Sequence, residues 1–313
     1  GRYEFRNKGI DIFLDALKQL AEADALDREV LVYITVPSAT TGPRKDLQAH
    51  LADENSPIDP KQNRFCTHYL EHPEWDQILN SIAGSVLANP SSKVKVVFVP
   101  TYLNGRDGIF DKSYYELLVG MDMTLFPSYY EPWGYTPLES TAFSVPTLTT
   151  TLAGFGLWAG SQGEHEGVTL VARNDDNYAE AAREIAKALL HFTKYTPQEV
   201  EIARNAAAEL SRTALWSELY AAYEKVYSEA IERSVTRTNR AVLNDGGGAT
   251  EQINFVRQQL ITEKPHWNRV MVEKVLPKRL HALEVLSHNL WWSWTSGCLL
   301  YTSPSPRDKR QSR

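Results

Sequence analysis

Cysteine is nearly absent: the 313-residue chain has two, Cys66 and Cys298. With no CxxC pair and no Cys/His ligand spacing, they exclude a disulfide framework and a structural zinc, and they fit a reducing compartment. Excess basic charge is also missing. Lys and Arg number 33 against 39 Asp and Glu, for a net charge of −6, so no global positive field exists to hold a nucleic-acid backbone. Long apolar runs are lacking as well. The longest obvious one, Val94–Val99, is interrupted by Lys95 and falls far short of the ~18–20 residues of a membrane-spanning helix. The expectation is a soluble, cytoplasmic chain with neither nucleic acid nor membrane as partner. No signal-peptide pattern opens it, and a start on Gly1 rather than Met reads as a piece of something longer.

What is present is alternation, in a chain long enough for about two domains. Helical spacing over 8–27 gives way to a buried-strand pattern at 29–37 (EVLVYITVP) and a loop over 38–63. A helix at 74–87, a strand at 94–100, a helix at 112–119 and a strand at 123–127 follow. A motif-dense loop then leads to a helix at 137–143 and strands at 146–149 and 168–171. Strands separated by single helices imply parallel pairing with right-handed crossovers, hence an α/β, Rossmann-like parallel sheet with ligands at the carboxyl ends of its strands.

Two helical regions come next, 177–192 and 197–233. In the second, Trp216, Leu219, Tyr223, Val226, Tyr227 and Ala230 share one face and read as core packing. Pattern and composition assign 1–233 to a Rossmann-like part, 234–252 to a linker containing Asn244-Asp245-Gly246-Gly247-Gly248, 253–295 to a helical fragment and 296–313 to a disordered tail. The wording of that tail resembles translated library-adapter sequence rather than native chain.

The chemistry concentrates in Ser128-Tyr129-Tyr130-Glu131-Pro132-Trp133-Gly134-Tyr135-Thr136-Pro137-Leu138-Glu139. Glu131 falls on a loop after a strand and Glu139 one turn into a helix that Pro137 would start well. The free N–H groups of that new helix, from about Gly134 to Leu138, favour a phosphate. At the amino terminus Arg2 and Lys8 place two cations on a loop before a helix, a pair suited to a diphosphate. Gly154-Phe155-Gly156, after a strand, permits close backbone approach. Each feature alone also admits a plainer reading: an acid-capped helix, a solvated basic loop, a turn.

Together, GRYEFRNKG at 1–9, CTHYL at 66–70, KVVFVP at 95–100, SYYEPWGYTPLE at 128–139 and AGFG at 153–156 resemble the carboxyl-terminal half of glycogen synthases of the animal and fungal type, including their bacterial relatives. The resemblance spans about 1–233. It implies a GT-B glycosyltransferase that moves glucose from UDP-glucose, with retention, to the non-reducing end of an α-1,4-glucan. It further implies that Arg2 and Lys8 hold the donor diphosphate and stabilise the leaving UDP, that Glu131 contacts hydroxyls of the transferred glucose, and that Glu139 contacts the ribose. By the same resemblance Tyr114 stacks on the uracil, and Tyr135 and Thr136, next to Gly134, present backbone N–H groups to phosphate. Neither a cofactor nor a metal is expected.

The departures from the pattern carry their own expectations. The family's acceptor site lies in an amino-terminal domain not found here, so the fragment alone should bind donor weakly and be inactive. The 38–63 loop is too short to be the helical insertion that eukaryotic relatives use for tetramers. The stretch EVEIARNAAAELSR offers only Arg204 and Arg212 in place of a regulatory arginine cluster, so no activation by glucose 6-phosphate is expected. Beyond the linker, LPKRLHALEVLSHNLWWSWT at 276–295 resembles the opening helix of bacterial-type α-glucan phosphorylases, although Trp291, Trp292 and Trp294 would equally suit a core. Two alternatives stay open: a non-catalytic nucleotide-sugar or glucan-binding module, and a fragment of a sucrose- or trehalose-type transferase.

Overall fold

The computed structural model describes residues 2–163 and 165–245, with side chains through residue 237. Residues up to 215 form one compact unit, and Trp216 opens a second. The first helix, α1 (Ile10–Glu22), buries Ile10, Ile12, Leu14, Ala16, Leu17 and Leu20, as its spacing predicts. It ends earlier than 27 because Asp24 adopts a left-handed backbone, φ 46°, which a helix cannot continue through. Strand β1 (Val30–Thr35) follows. The expected loop over 38–63 contains structure of its own: β2 (Thr40–Pro43) and α2 (Lys45–Ala52). Strand β2 pairs antiparallel with β3 (His68–Leu70). Buried Arg44 braces this segment, with its guanidinium on Asp46 and on the carbonyls of Asn63 and Cys66. Strand β2 reads TTGP, with no apolar residue to mark a buried face.

The predicted helix at 74–87 is broken into a 3-10 turn at Pro73–Trp75, α3 (Gln77–Ile82) and a second 3-10 turn at Val86–Ala88. Asp76 caps α3 by accepting from Leu79 N–H at 2.8 Å, and Gly84, at φ 73°, ends it. Beyond it, β4 (Val94–Val99) pairs in parallel with β1, from Val30 opposite Val94 to Thr35 opposite Val99. Next come α4 (Tyr114–Leu118), β5 (Thr124–Phe126), α5 (Tyr135–Ala142), β6 (Thr147–Thr150), α6 (Gly154–Ser161) and β7 (Val168–Val171). Strands β5, β6 and β7 form a second parallel group in that order. The expected α/β parallel layering is present, with the strands divided into two groups. Among the described residues β1 and β5 each pair on one edge only.

The two groups share one core. Ile34, Val96 and Phe98 from the first group and Leu148 and Val171 from the second meet under α1 and α7 (Tyr178–Phe192). A second cluster joins Phe155, Ala159 and Val168 to Leu210 of α8 (Pro197–Arg212), with Trp133, Leu138 and Trp158 packed against it. Apolar layers on both sides of the strands are what a parallel sheet requires.

The region read as one helix over 197–233 is two, α8 and α9 (Trp216–Asp245), and α9 continues through the stretch assigned by composition to a linker as far as Asp245. The stripe expected to pack as core is exposed: Trp216 at 69%, with Tyr223, Val226 and Tyr227 alike. Its aromatic rings meet one another along the helix, Trp216 to Tyr223 at 5.9 Å and Tyr223 to Tyr227 at 6.1 Å. Periodicity marks a face that can be covered, without saying that it is. The remaining expectations for 246–313, including the phosphorylase-like helix, Cys298 and the tail, lie outside the described residues.

Leu17 is fully buried where α1 meets the shared core. Leu17→Ala should lower stability by about 2–5 kcal/mol in urea unfolding. A loss below about 1 kcal/mol would mean that the core under α1 collapses freely around the missing atoms.

Candidate functional site

Two backbone segments meet at the carboxyl end of β5. The first is the turn at 2–9, closed by bonds from Lys8 N–H to the Glu4 carbonyl (2.8 Å) and from Gly9 N–H to Arg6 (3.0 Å). It ends at Gly9, the residue before α1, at φ 69°. A β-carbon on Gly9 would lie 1.8 Å from the Pro127 carbonyl oxygen, so both the positive φ and the close approach demand glycine. The second segment is the motif loop after β5. Tyr129 N–H donates to the Asn7 carbonyl at 2.9 Å, and the Thr150 hydroxyl donates to the Ser128 carbonyl at 2.7 Å.

That junction brings Lys8 and Glu131 together as an ion pair. Their side chains are 23% and 25% exposed, enough to reach a ligand and too little to be freely solvated. The Glu131 backbone is held on both sides, by its N–H on Leu152 (3.3 Å) and by Gly154 N–H on its carbonyl (3.0 Å). Gly154 is needed because a β-carbon there would fall 2.2 Å from the Pro132 carbonyl. The Gly154-Phe155-Gly156 element is therefore more than a turn: it opens α6 and clamps the motif loop, with Phe155 N–H on Trp133 at 2.7 Å.

Helix α5 begins at Tyr135, two residues before the predicted Pro137, which is buried inside its first turn. Gly134 precedes it without a side-chain cap. Among the described residues nothing accepts from the N–H groups of Gly134, Tyr135 or Thr136, and Pro137 has no N–H to offer. Three open donors at the positive end of a helix dipole are groups that favour an anion. The Glu131 side chain lies against Gly134, its γ-carbon 3.4 Å from where a β-carbon on that glycine would sit. The cation, the carboxylate and the helix end are thus contiguous.

On the same helix, Glu139 faces α4. Its charge acts on the hydroxyls of both Tyr115 and Tyr114. Burial first, then the Glu139 carboxylate, pushes the Tyr114 hydroxyl up to about 12. Tyr114 is placed by a capping box between Ser113 and Glu116, and by the preceding loop, where the Asp107 carboxylate accepts from the N–H groups of Ile109, Phe110 and Asp111. Tyr135 is exposed, as is Arg2, whose guanidinium has no partner among the described residues. The structure therefore brings together Lys8 with Glu131 and Gly134, and Tyr114 with Glu139, while Arg2 stands apart from both.

Sequence reading overlooked three contributors. Tyr115 lies within the field of Glu139, Tyr129 bonds Asp175, and Arg173 lies beneath the junction on the Pro127 carbonyl. Arg173 could have been noticed as a cation directly after the last strand, where the sheet's ligand end falls; the tyrosines carry no such mark.

The sequence profile of one family, described as glycogen synthase, matches residues 48–281. The chain belongs to the glycogen synthase family. Glu131, Gly134, Tyr135, Thr136, Glu139 and Tyr114 lie inside the matched stretch, and Arg2 and Lys8 precede it. The chain is 28% identical to the glycogen [starch] synthase of Neurospora crassa, over 75% of this chain and 41% of that one. It is 28% identical to that of Caenorhabditis elegans over 74% and 43%, and to the human liver form over 75% and 41%. It spans about two fifths of the length of the curated relatives it matches.

Tyr114 offers a pH test of its half of the site. With a folded pKa near 12 against about 10 in an unfolded chain, the folded state binds this proton more tightly. Its contribution to stability is full below pH ~10 and is lost as pH rises through about 12. Tyr114→Phe should flatten the alkaline fall in unfolding free energy over that window, measured by urea titration at successive pH values. An unchanged slope would put the hydroxyl in water.

Proposed function

We propose that this chain is the donor-binding half of a retaining glycogen synthase of the GT-B type, which holds UDP-glucose while an α-1,4-glucan supplies the attacking hydroxyl at its non-reducing end. The observation that carries the reading is the Lys8–Glu131 pair set against the open amino end of α5. A diphosphate placed there would accept from the N–H groups of Gly134, Tyr135 and Thr136 and face the Lys8 ammonium, with Arg2 on the same turn within reach of a flexible side chain. Lys8 would meet one charge of a sugar-linked diphosphate from a position already set, and Arg2 the other once its side chain swings in, so the charge that builds on the departing UDP would be met first by Lys8 and the open N–H groups of α5. No divalent ion or other cofactor is then required.

A partly exposed ion pair is worth about 0–1 kcal/mol. Exchanging the Lys8–Glu131 contact for contacts to donor therefore costs little, with Lys8 turning to phosphate and Glu131 to the sugar hydroxyls. Glu139 would take the ribose hydroxyls, and Tyr114, beside it, the uracil face. The acceptor glucan and the rest of the cleft would come from the family's amino-terminal domain, and the setting would be cytoplasmic. Arg204 uses its guanidinium on the carbonyls of Met121 (2.7 Å) and Ser144 (3.2 Å), which supports the absence of control by glucose 6-phosphate. The 253–295 segment is proposed to begin an α-glucan phosphorylase.

Calorimetric titration of the chain with UDP, ADP and UDP-glucose tests the reading. UDP should bind in preference to ADP, unaffected by EDTA. Lys8→Ala should weaken UDP about tenfold or more, the scale of a hydrogen bond to a charged group, and less so at high salt. Equal affinity in the variant would remove Lys8 from the phosphate site. In the intact protein Glu131→Gln should abolish most turnover. Donor binding without any transfer by the intact protein would favour a non-catalytic binding module.

A further inference from the structure

Arg173 is 6% exposed and sits just past the end of β7. Its own peptide is clamped by Thr151, whose hydroxyl accepts from Arg173 N–H at 3.0 Å and donates to its carbonyl at 3.2 Å. From there the side chain crosses the carboxyl ends of the strands. One Nη donates to the Pro127 carbonyl after β5, and the guanidinium carbon lies 5.3 Å from the centre of the Tyr129 ring. The same Nη is 3.0 Å from where a β-carbon on Gly9 would sit. Tyr129 is held in turn by its hydroxyl on Asp175.

Three groups act on this guanidinium electrostatically: the Asp11 carboxylate in the first turn of α1, and the hydroxyls of Tyr178 at the start of α7 and Tyr129 on the motif loop. The Asp11 Oδ1 atom is buried and has no hydrogen-bond partner. Burial holds the Asp11 carboxyl above its ordinary range, partly offset by the Ile12 N–H and by the Arg173 and Arg6 cations. An arginine in such a place has little of its surface left for a ligand. What it does touch is the pair of backbone segments that carry the site: Gly9 adjoins Lys8, and the stretch from Pro127 to Tyr129 leads to Glu131.

We propose that Arg173 is a positioning residue for the nucleotide-sugar site, a buried brace that sets Lys8 against Glu131 without contacting ligand. The proposal rests on the donor-binding reading above for its ligand, and on the geometry alone for the brace. Its planar fork is what the site needs. A lysine would keep the charge but could not hold the Pro127 carbonyl and lie over the Tyr129 ring at once.

The test combines amide exchange by NMR with UDP calorimetry on the full chain and its Arg173→Lys variant. The Tyr129 amide, which bonds the Asn7 carbonyl, should exchange about tenfold faster relative to core amides such as Ile185, as expected of local rather than global opening. UDP affinity should fall by about tenfold, and Arg173→Lys should add almost nothing to Lys8→Ala in the double variant, because both act through one group. If the Tyr129 amide changes only in step with the core, Arg173 merely stabilises the fold and the proposal fails. If the two losses in affinity simply add, Arg173 acts on the ligand directly and the proposal also fails. A wild-type chain that binds no UDP would sink the donor-binding reading, and the exchange result would still decide the brace. Should Arg173→Lys not fold, Thr151→Val releases the Arg173 peptide while keeping its charge. The same selective rise at Tyr129 is expected there, and its absence would overturn the brace.

Discussion

Where Gly9 meets the carbonyl of Pro127, no side chain fits, and the site depends on that contact. It lets the turn before α1 press directly on the end of β5, so that the Asn7 carbonyl can take the Tyr129 amide. Everything that follows is a matter of reach. A lysine one residue before the glycine and a glutamate four residues after the proline come within contact of each other. Any β-carbon at position 9 would push these segments apart, and the ion pair would be lost with the backbone bond that supports it.

Around this junction the polar groups divide by burial. Those that hold the backbone are enclosed and matched: Thr150 on Ser128, Thr151 on Arg173, Arg173 on Pro127. Those that could meet a ligand are partly open: Lys8, Glu131 and the three N–H groups at the head of α5. Buried polar groups left unpaired are costly and paired ones are rigid, so the framework resists movement while the outer groups can change partners for about 0–1 kcal/mol. A rigid support beneath exchangeable contacts is the arrangement that preorganised charge stabilisation requires.

The same economy is not found everywhere. Strands β1 and β5 pair on one edge only among the described residues, and Leu31 of β1 is 56% exposed within a run of apolar residues. The aromatic stripe of α9 is exposed too. Both features are of a kind that interior strands and amphipathic helices ordinarily cover, and both belong to a chain about two fifths the length of its curated relatives.

The α/β alternation was legible in the sequence because core-facing spacing is local: α1, β1, β4, β7 and α7 lie within a few residues of where their patterns place them. The motif loop was legible because its prolines, glycine and carboxylates follow one another along the chain. The short β2 and β3 pairing, the breaks around α3 and the continuation of α9 to Asp245 were not, since β2 (TTGP) has no apolar pattern and composition does not register a helix built from polar residues. Sequence alone put Lys8 near a phosphate and Glu131 near a helix start; it could not join them, 123 positions apart. That junction, together with Arg173 beneath it, was decided by tertiary structure. Contact across parallel strands depends on which ends lie side by side, and only the folded sheet sets that order.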